Sequence, residues 1–257
     1  MIIPPMKVTI LGMGVMGQTL ANGLLASGAK EEDLCLATRD MDQASAVKNA
    51  DFVVLCLKPK NIRKVSKEIA SHLELNTCLI SIAAGIPTED IAANLKDGQP
   101  LIRAMPNTPC RVDQGITVLS PSSTSSNEHL EAAAEIFSCL GRVLTLPEEH
   151  MDAVTGLAAS GPAYIYVMIE SLADGGVMAG LPRKVAIELA AQTVLGAATM
   201  VLETGKHPAE LKDEVTTPAG CTISALLRME DGGLRSVLAR GVQEAAESAR
   251  RLREQGA

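Results

Sequence analysis

The sequence has few aromatic residues, with two Tyr, two Phe and no Trp among 257 positions. It therefore offers almost no rings on which nucleic-acid bases could stack. It also lacks a positive surplus: 23 Lys and Arg stand against 30 Asp and Glu, a net charge of −7. Binding a phosphate backbone needs the opposite balance on at least one face, which excludes nucleic acid as a partner. No CxxC pair occurs. The six cysteines (Cys35, Cys56, Cys78, Cys110, Cys139 and Cys221) lie far apart, a scatter that suits reduced core residues in a cytoplasmic protein and indicates neither disulfides nor zinc. The histidines, His72, His129, His150 and His207, show no HExxH or paired-ligand spacing, so no metal is expected. The N-terminus lacks the charged region and long apolar core of a signal peptide. The most apolar helix in the pattern, Pro162 to Gly180, is interrupted by Glu170, Asp174 and two adjacent glycines, and is too short and too charged to span a bilayer. The expectation is a soluble, cytoplasmic protein with no membrane partner.

What is present is a globular composition, 47% hydrophobic and 21% charged, in a chain long enough for one large domain or two modest ones. Two textures divide it. Up to about Leu146, short β-branched runs alternate with helical patterns, the signature of βαβ units on a parallel sheet. The runs are Val8–Leu11, Leu34–Ala37, Phe52–Leu57, Cys78–Ile82, Leu101–Met105, Ile116–Leu119 and Val143–Leu146. Helices are expected at Met16–Ser27, Ile62–Leu73, Thr88–Leu95 and Asn127–Leu140. After Pro147 the strands give way to Ala-, Leu- and Met-rich helix at Met151–Ala158, Tyr164–Met178, Lys184–Glu203, Ser224–Glu230 and Leu234–Arg253, with Pro162 and Pro182 at first turns. The reading is an α/β dinucleotide-binding domain over 1–147 and an all-α substrate and oligomerisation domain over 148–257. The run from Val185 to Leu202 is apolar around most of its cylinder, so it must be buried, and a second subunit is the expected cover.

The segment Lys7 to Gly17 runs from a strand through Gly12-Met13-Gly14-Val15-Met16-Gly17 into a helix. Gly12 suits the tight turn, Gly14 the close approach of a pyrophosphate, and Gly17 the packing of helix on strand. The free N–H groups and the positive end of the helix dipole then face the phosphates. The end of the second strand selects the cofactor, because an acid there holds the ribose 2′-hydroxyl of NAD and an arginine receives the 2′-phosphate of NADP. Ala37-Thr38-Arg39-Asp40 puts Thr38 and Arg39 first, which favours NADP, with Asp40 close enough to leave NAD open. Arg39 and Asp40 could equally form a solvated surface pair.

A second dense patch is Leu211 to Thr222, where small and hydroxyl residues with Pro218 and Gly220 precede an apolar helix. Unpaired N–H groups at that helix start would suit a carboxylate, with Thr222 as hydroxyl donor. A threonine N-cap at a domain corner fits the same spacing. Here the chain resembles the pyrroline-5-carboxylate reductase family. The segment Val215-Thr216-Thr217-Pro218-Ala219-Gly220-Cys221-Thr222-Ile223-Ser224-Ala225-Leu226-Leu227-Arg228-Met229-Glu230 fits the family signature position by position. Leu57-Lys58-Pro59, Ala83-Ala84-Gly85, Met105-Pro106-Asn107-Thr108-Pro109, Ser160-Gly161-Pro162-Ala163-Tyr164 and Leu172-Ala173-Asp174-Gly175-Gly176 follow the family in order.

The resemblance implies a Rossmann domain and a helical domain that interlocks with its twin into a homodimer, often assembled into decamers. It implies NADPH- or NADH-dependent reduction of 1-pyrroline-5-carboxylate to L-proline, the last step of proline biosynthesis. By the same resemblance, Leu11 to Met16 meet the cofactor phosphates. Cys56, Leu57, Lys58 and Pro59, with Ile82, Ala83 and Ala84, flank the ribose and nicotinamide. Cys221 and Thr222 hold the substrate carboxylate, with Thr222 also near the ring nitrogen, and Glu148 falls where the family has a proline-contacting acid. The chain departs from the family at Glu214, in place of an asparagine, where Lys212 is a possible partner. It departs again after the second strand, where only Arg39 to Ala50 precede the next run and a third strand is missing. A shortened sheet edge and a more open adenosine pocket are expected. A β-hydroxyacid dehydrogenase would need a lysine on the first interdomain helix, and none occurs from Pro147 to Pro182. A non-catalytic NADP-binding paralogue is the other alternative.

Overall fold

The runs Val8–Leu11 (β1), Phe52–Leu55 (β3) and Cys78–Ser81 (β4) are buried at every position. A strand with no solvent-facing side is stable only in a sheet covered on both faces. Because side chains alternate across a strand, β1 sends Val8 and Ile10 into one core and Leu11 into the other. In the same way β3 divides Phe52 and Val54 from Val53 and Leu55. The first core is closed by helices α1 (Val15–Ala26) and α5 (Asn127–Ser138), and the second by α3 (Pro59–Ile69) and α4 (Thr88–Ala92). The computed structural model describes residues 6–38 and 40–254. Met1 to Pro5, Arg39 and Gln255 to Ala257 lie outside them.

With β2 (Leu34–Ala37), β5 (Leu101–Pro106), β6 (Gly115–Pro121) and β7 (Gly141–Thr145), the sheet has seven strands in the order β2-β1-β3-β4-β5-β6-β7. All seven expected strands form. β2 is the edge, and no strand lies outside it among the described residues, in keeping with the missing unit. The described residues from Thr38 to Asp51 hold only a four-residue helix, α2 (Gln43–Ala46), before the chain crosses over β1 into β3. The expectation of βαβ units on a parallel sheet holds through β5 and is corrected at β6, which runs antiparallel to β5, with β7 parallel to β6. Only Asn107 to Gln114 separate β5 from β6, and a parallel return needs a dozen residues or more.

By contacts the chain divides into two units, one holding residues up to Ser160 together with those from Val242 onward, the other Gly161–Gly241. The first unit also contains α6 (Met151–Val154), which passes into a π-helical turn at Thr155–Ala159. The second is helical: α7 (Gly161–Met178), α8 (Arg183–Thr204), α9 (Pro208–Glu214), α10 (Cys221–Asp231) and the start of α11 (Leu234–Glu254). Its buried core is small, with Ala173, Ala186 and Ala190 at the α7–α8 contact. Gly176 allows that close approach, since a Cβ there would lie 3.2 Å from the Ala186 Cβ. Helix α9 was not expected, because its charged residues carry no apolar period. Pro208 at its start and the His207 ring, which accepts from the Ala209 N–H at 3.2 Å, initiate it. Pro182 is the N-cap of α8 rather than part of its first turn.

Candidate dinucleotide and substrate site

The chain leaves the buried Leu11 through Gly12, whose φ of +101° suits glycine. The turn is locked because the Gly12 N–H bonds the Ala37 carbonyl at 3.0 Å, and Cys56 N–H bonds the Leu11 carbonyl at 2.9 Å. A Cβ on Gly12 would lie 2.5 Å from the Cys56 carbonyl oxygen, and one on Gly17 2.1 Å from the Gly12 carbonyl oxygen. At Gly14 a Cβ would meet nothing within 4 Å. Two glycines are thus required by packing, whereas the third borders open space. Gly14 is the N-cap of α1 and carries no side-chain cap, so the N–H groups of Val15, Met16 and Gly17 open the helix without intrahelical partners. The arrangement fits a pyrophosphate.

A cavity of about 1170 Å³ opens beside this loop, larger than the usual range for a small-molecule site. Gly12, Met13, Gly14, Thr38, Cys56, Leu57 and Lys58 line it, as expected, with Pro59 at the first position of α3 beside them. Asp40, Met41, Asp42, Gln43 and Ala44 form the part where the absent unit would stand. Asp42 is occupied as the cap of α2, accepting from the Ala44 N–H at 3.1 Å and the Ser45 hydroxyl at 2.5 Å. The Ser45 hydroxyl lowers its pKa. Arg39, the residue expected at a 2′-phosphate, lies outside the described residues. The cavity also takes Lys60, Asn61, Lys64 and Glu68 from α3, which the sequence reading missed. Their signal was the charged stripe at four-residue spacing, with Lys64 and Glu68 3.8 Å apart. Burial pushes the Cys56 thiol up to about 12, so it is protonated at neutral pH. Ile82, Ala83 and Ala84 follow β4 directly and do not line this cavity.

Glu148, in the first unit, is held from two sides. One carboxylate oxygen accepts the Thr88 N–H at 2.8 Å and faces Arg103 Nη1 at 3.4 Å, and the other accepts the Thr88 hydroxyl. Arg103 is wholly buried, and its Nε and Nη2 find no hydrogen-bond partner among the described residues. Burial lowers its pKa, and the Glu148 carboxylate opposes that shift. Neither Thr88 nor Arg103 was expected at the site, although a lone arginine inside the apolar run Leu101–Met105 was the visible sign.

In the second unit, α10 begins at Cys221, three residues earlier than expected, so Cys221 and Thr222 occupy its first turn. The N-cap is Gly220 and has no side-chain cap, which removes the reading of Thr222 as the cap. Ala219 has a φ of +57°, and a Cβ on Gly220 would lie 2.3 Å from the Thr217 hydroxyl, so the Thr217-Pro218-Ala219-Gly220 corner is tightly wound. The first-turn amides of α10 suit a carboxylate. Glu214 is paired, with Lys206 at 2.5 Å rather than with Lys212, which bonds Asp213 at 2.7 Å. Cys221 is exposed, unlike the core position expected of it, whereas Cys78 and Cys110 are buried.

Residues 148–252 match the family model described as pyrroline-5-carboxylate reductase dimerisation, and residues 7–85 match NADP oxidoreductase coenzyme F420-dependent. The pyrroline-5-carboxylate reductase of Arabidopsis thaliana is 42% identical, covering 96% of this chain and 95% of that protein. The Escherichia coli protein of the same name is 35% identical, over 96% and 98%. Among solved structures, a pyrroline-5-carboxylate reductase from Coxiella burnetii superposes with a TM-score of 0.92 at 32% identity, covering 97% of this chain and 99% of that one. The Plasmodium falciparum pyrroline carboxylate reductase with NADP bound gives 0.86 at 27% identity, over 96% and 98%.

Proposed function

The chain belongs to the pyrroline-5-carboxylate reductase family, and we propose that it works as that family's name states, with the residues above in defined roles. It is an NAD(P)H-dependent oxidoreductase that reduces the C=N bond of 1-pyrroline-5-carboxylate to give L-proline. The observation that carries this reading is the glycine-lined cavity beside the β1–α1 turn, in a chain similar to these reductases along nearly its whole length.

The cofactor supplies the hydride when bound. The chain holds it through the first-turn amides of Val15, Met16 and Gly17, with Gly14 leaving room for the phosphates. Thr38 and Arg39 serve the 2′-phosphate of NADPH, and the amine of Lys60 adds positive charge to the same cavity. Cys56 to Pro59 and Ile82 to Ala84 flank the ribose and nicotinamide. A protonated imine is the better hydride acceptor, so the chain's task is to hold the substrate carboxylate and orient the ring. The amides of Cys221 and Thr222 take the carboxylate, the Thr222 hydroxyl meets the ring nitrogen, and Glu148 is the acid beside the substrate. A threonine hydroxyl is a poor acid at neutral pH, so Thr222 orients more than it protonates. The helical domain from residue 148 is the substrate and oligomerisation domain, a second copy covers the apolar faces of α7 and α8, and dimers assemble further into a decamer in the cytoplasm.

Purified protein oxidises NADPH only when pyrroline-5-carboxylate is added, read as loss of reduced-cofactor absorbance with proline as product. Thr222→Ala lowers that rate without abolishing it. NADPH binding without any oxidation would assign the chain to the non-catalytic reading instead.

A further inference from the structure

The turn between β4 and α4 carries Ala83, Ala84 and Gly85, and three independent contacts within the first unit hold it. Ala84 packs against the cluster of Met105, Val118, Met151 and Val154. Gly85 has a φ of +73°, and a Cβ there would lie 3.6 Å from the Arg253 backbone nitrogen and the Leu252 Cβ, and 3.8 Å from the Ala249 carbonyl oxygen. The last turns of α11 therefore lie directly against this turn. Three residues on, Thr88 is bound through its N–H and its hydroxyl to Glu148, which in turn faces the buried Arg103.

The end of α11 is itself fastened. Arg253 Nη1 stands 3.1 Å from Asp152 Oδ2 in α6, and the Asp152 side chain is only 14% exposed. Arg103 pairs with Glu148 at 3.4 Å and Arg253 with Asp152 at 3.1 Å, so two cations and two anions balance one another around this turn. Such a group is a poor source of stability, because the loss of hydration rivals the attraction, and well-packed apolar residues often do as well. What it supplies is a single geometry, since removing Glu148 or Arg253 leaves the buried Arg103 or the largely buried Asp152 without its partner.

We propose that Arg103, Glu148, Asp152 and Arg253 form a clamp that fixes the 83–88 turn. The clamp makes Arg253, at the far end of the chain, a positioning residue for hydride transfer. This rests on the assignment of Ile82 to Ala84 to the nicotinamide seat. A displacement of about 1 Å at a reacting group can lower a rate by up to ~100-fold, so loosening the turn acts on kcat while the phosphate loop keeps the cofactor bound.

The test uses the full chain with Arg253→Ala and Arg253→Lys. For Arg253→Ala, kcat falls roughly tenfold and the deuterium isotope effect with deuterated NADPH rises. The NADPH dissociation constant, measured by calorimetry, stays within about twofold of the parent, and Arg253→Lys restores most of the rate. The amides of Ala83 to Ile86 and of Thr88 exchange hydrogen faster in Arg253→Ala than in the parent. An unchanged kcat, or kcat and NADPH affinity falling together, overturns the positioning role. If the parent chain turns over no pyrroline-5-carboxylate, the functional reading fails separately, and unchanged exchange at 83–88 then overturns the clamp on its own.

Discussion

The two units bury their apolar residues to very different degrees. In the first, β1, β3, β4 and β5 are closed on both faces, and Ile10, Val54, Ile80 and Leu79 are wholly inaccessible. In the second, the 22 residues of α8 have a mean hydropathy of 1.7 over their most apolar stretch, yet only 11% of that stretch is buried. Leu189, Leu195 and Leu202 on α8, and Tyr166 and Val167 on α7, are all exposed. Length and apolarity alone would also let α8 cross a membrane. The match of residues 148–252 to a dimerisation domain model instead favours a second copy as the cover. The first unit thus completes its core with its own residues, and the second leaves its apolar faces exposed. Apolar pattern reports how much must be buried, and not by what.

The sharpest way to break this comparison is at the glycine loop. Gly17→Ala forces a carbon against the Gly12 carbonyl, where only 2.1 Å is free, and should destabilise the first unit by about 3 kcal/mol. Gly14→Ala, with nothing in its way, should leave the melting temperature unchanged and weaken NADPH binding by roughly tenfold, about 1.4 kcal/mol. Equal melting losses in the two variants would sink the distinction.

Next in size is a pair of core changes. Ile80→Ala should cost about 2–5 kcal/mol at any protein concentration. Leu195→Asp should shift sedimentation toward a monomer, with a melting temperature that loses the concentration dependence an oligomer shows. An unchanged assembly in Leu195→Asp would argue that α8 is covered otherwise.

A smaller effect follows alkaline pH. Cys56, Cys78 and Cys139 in the first unit are pushed by burial from 9.0 up to about 12. Above pH 9 the unfolded chain loses these protons and the folded one keeps them. The thiols' contribution is therefore intact below pH 9 and declines toward pH 12, by up to about 1.4 kcal/mol per pH unit for each of Cys56 and Cys78 and by less for the partly exposed Cys139. Replacing all three with Ala or Ser should flatten that decline in denaturant titrations. The exposed Cys221 of the second unit should instead be the first thiol to react with an alkylating reagent.

The smallest effect lies at the open end of the cavity. With one βα unit missing, NADPH affinity should be weaker than submicromolar. Lys60→Ala should lower it a further few-fold, about 0.5–1 kcal/mol, while leaving NADH unchanged. Equal losses for the two cofactors would remove Lys60 from the 2′-phosphate.

The glycine loop was legible because each glycine answers a local demand that the flanking strand and helix make visible. The strands were legible from their β-branched runs, and the missing unit from simple chain length. The direction of β6 was not, although the eight residues before it are too few for a parallel crossover. Lys60 and Lys64 went unnoticed because a charged helical stripe reads as a solvated face. Arg103 looked like a strand residue, and Glu148, placed beside the substrate by resemblance, gave no sign of its partners Thr88 and Arg103.

Sequence alone therefore determined what is set by neighbours along the chain. These are the turn at Gly12, the open start of α1, the seven strands, and the threonine-rich corner before α10. Only the tertiary structure decided what depends on residues far apart in the chain. It brought α3 into the cofactor cavity, gave Glu214 to Lys206, and set Arg103, Glu148, Asp152 and Arg253 around one turn. The physical reason is that local backbone geometry follows from adjacent residues, whereas the environment of a charge follows from whatever the fold places within a few ångströms of it.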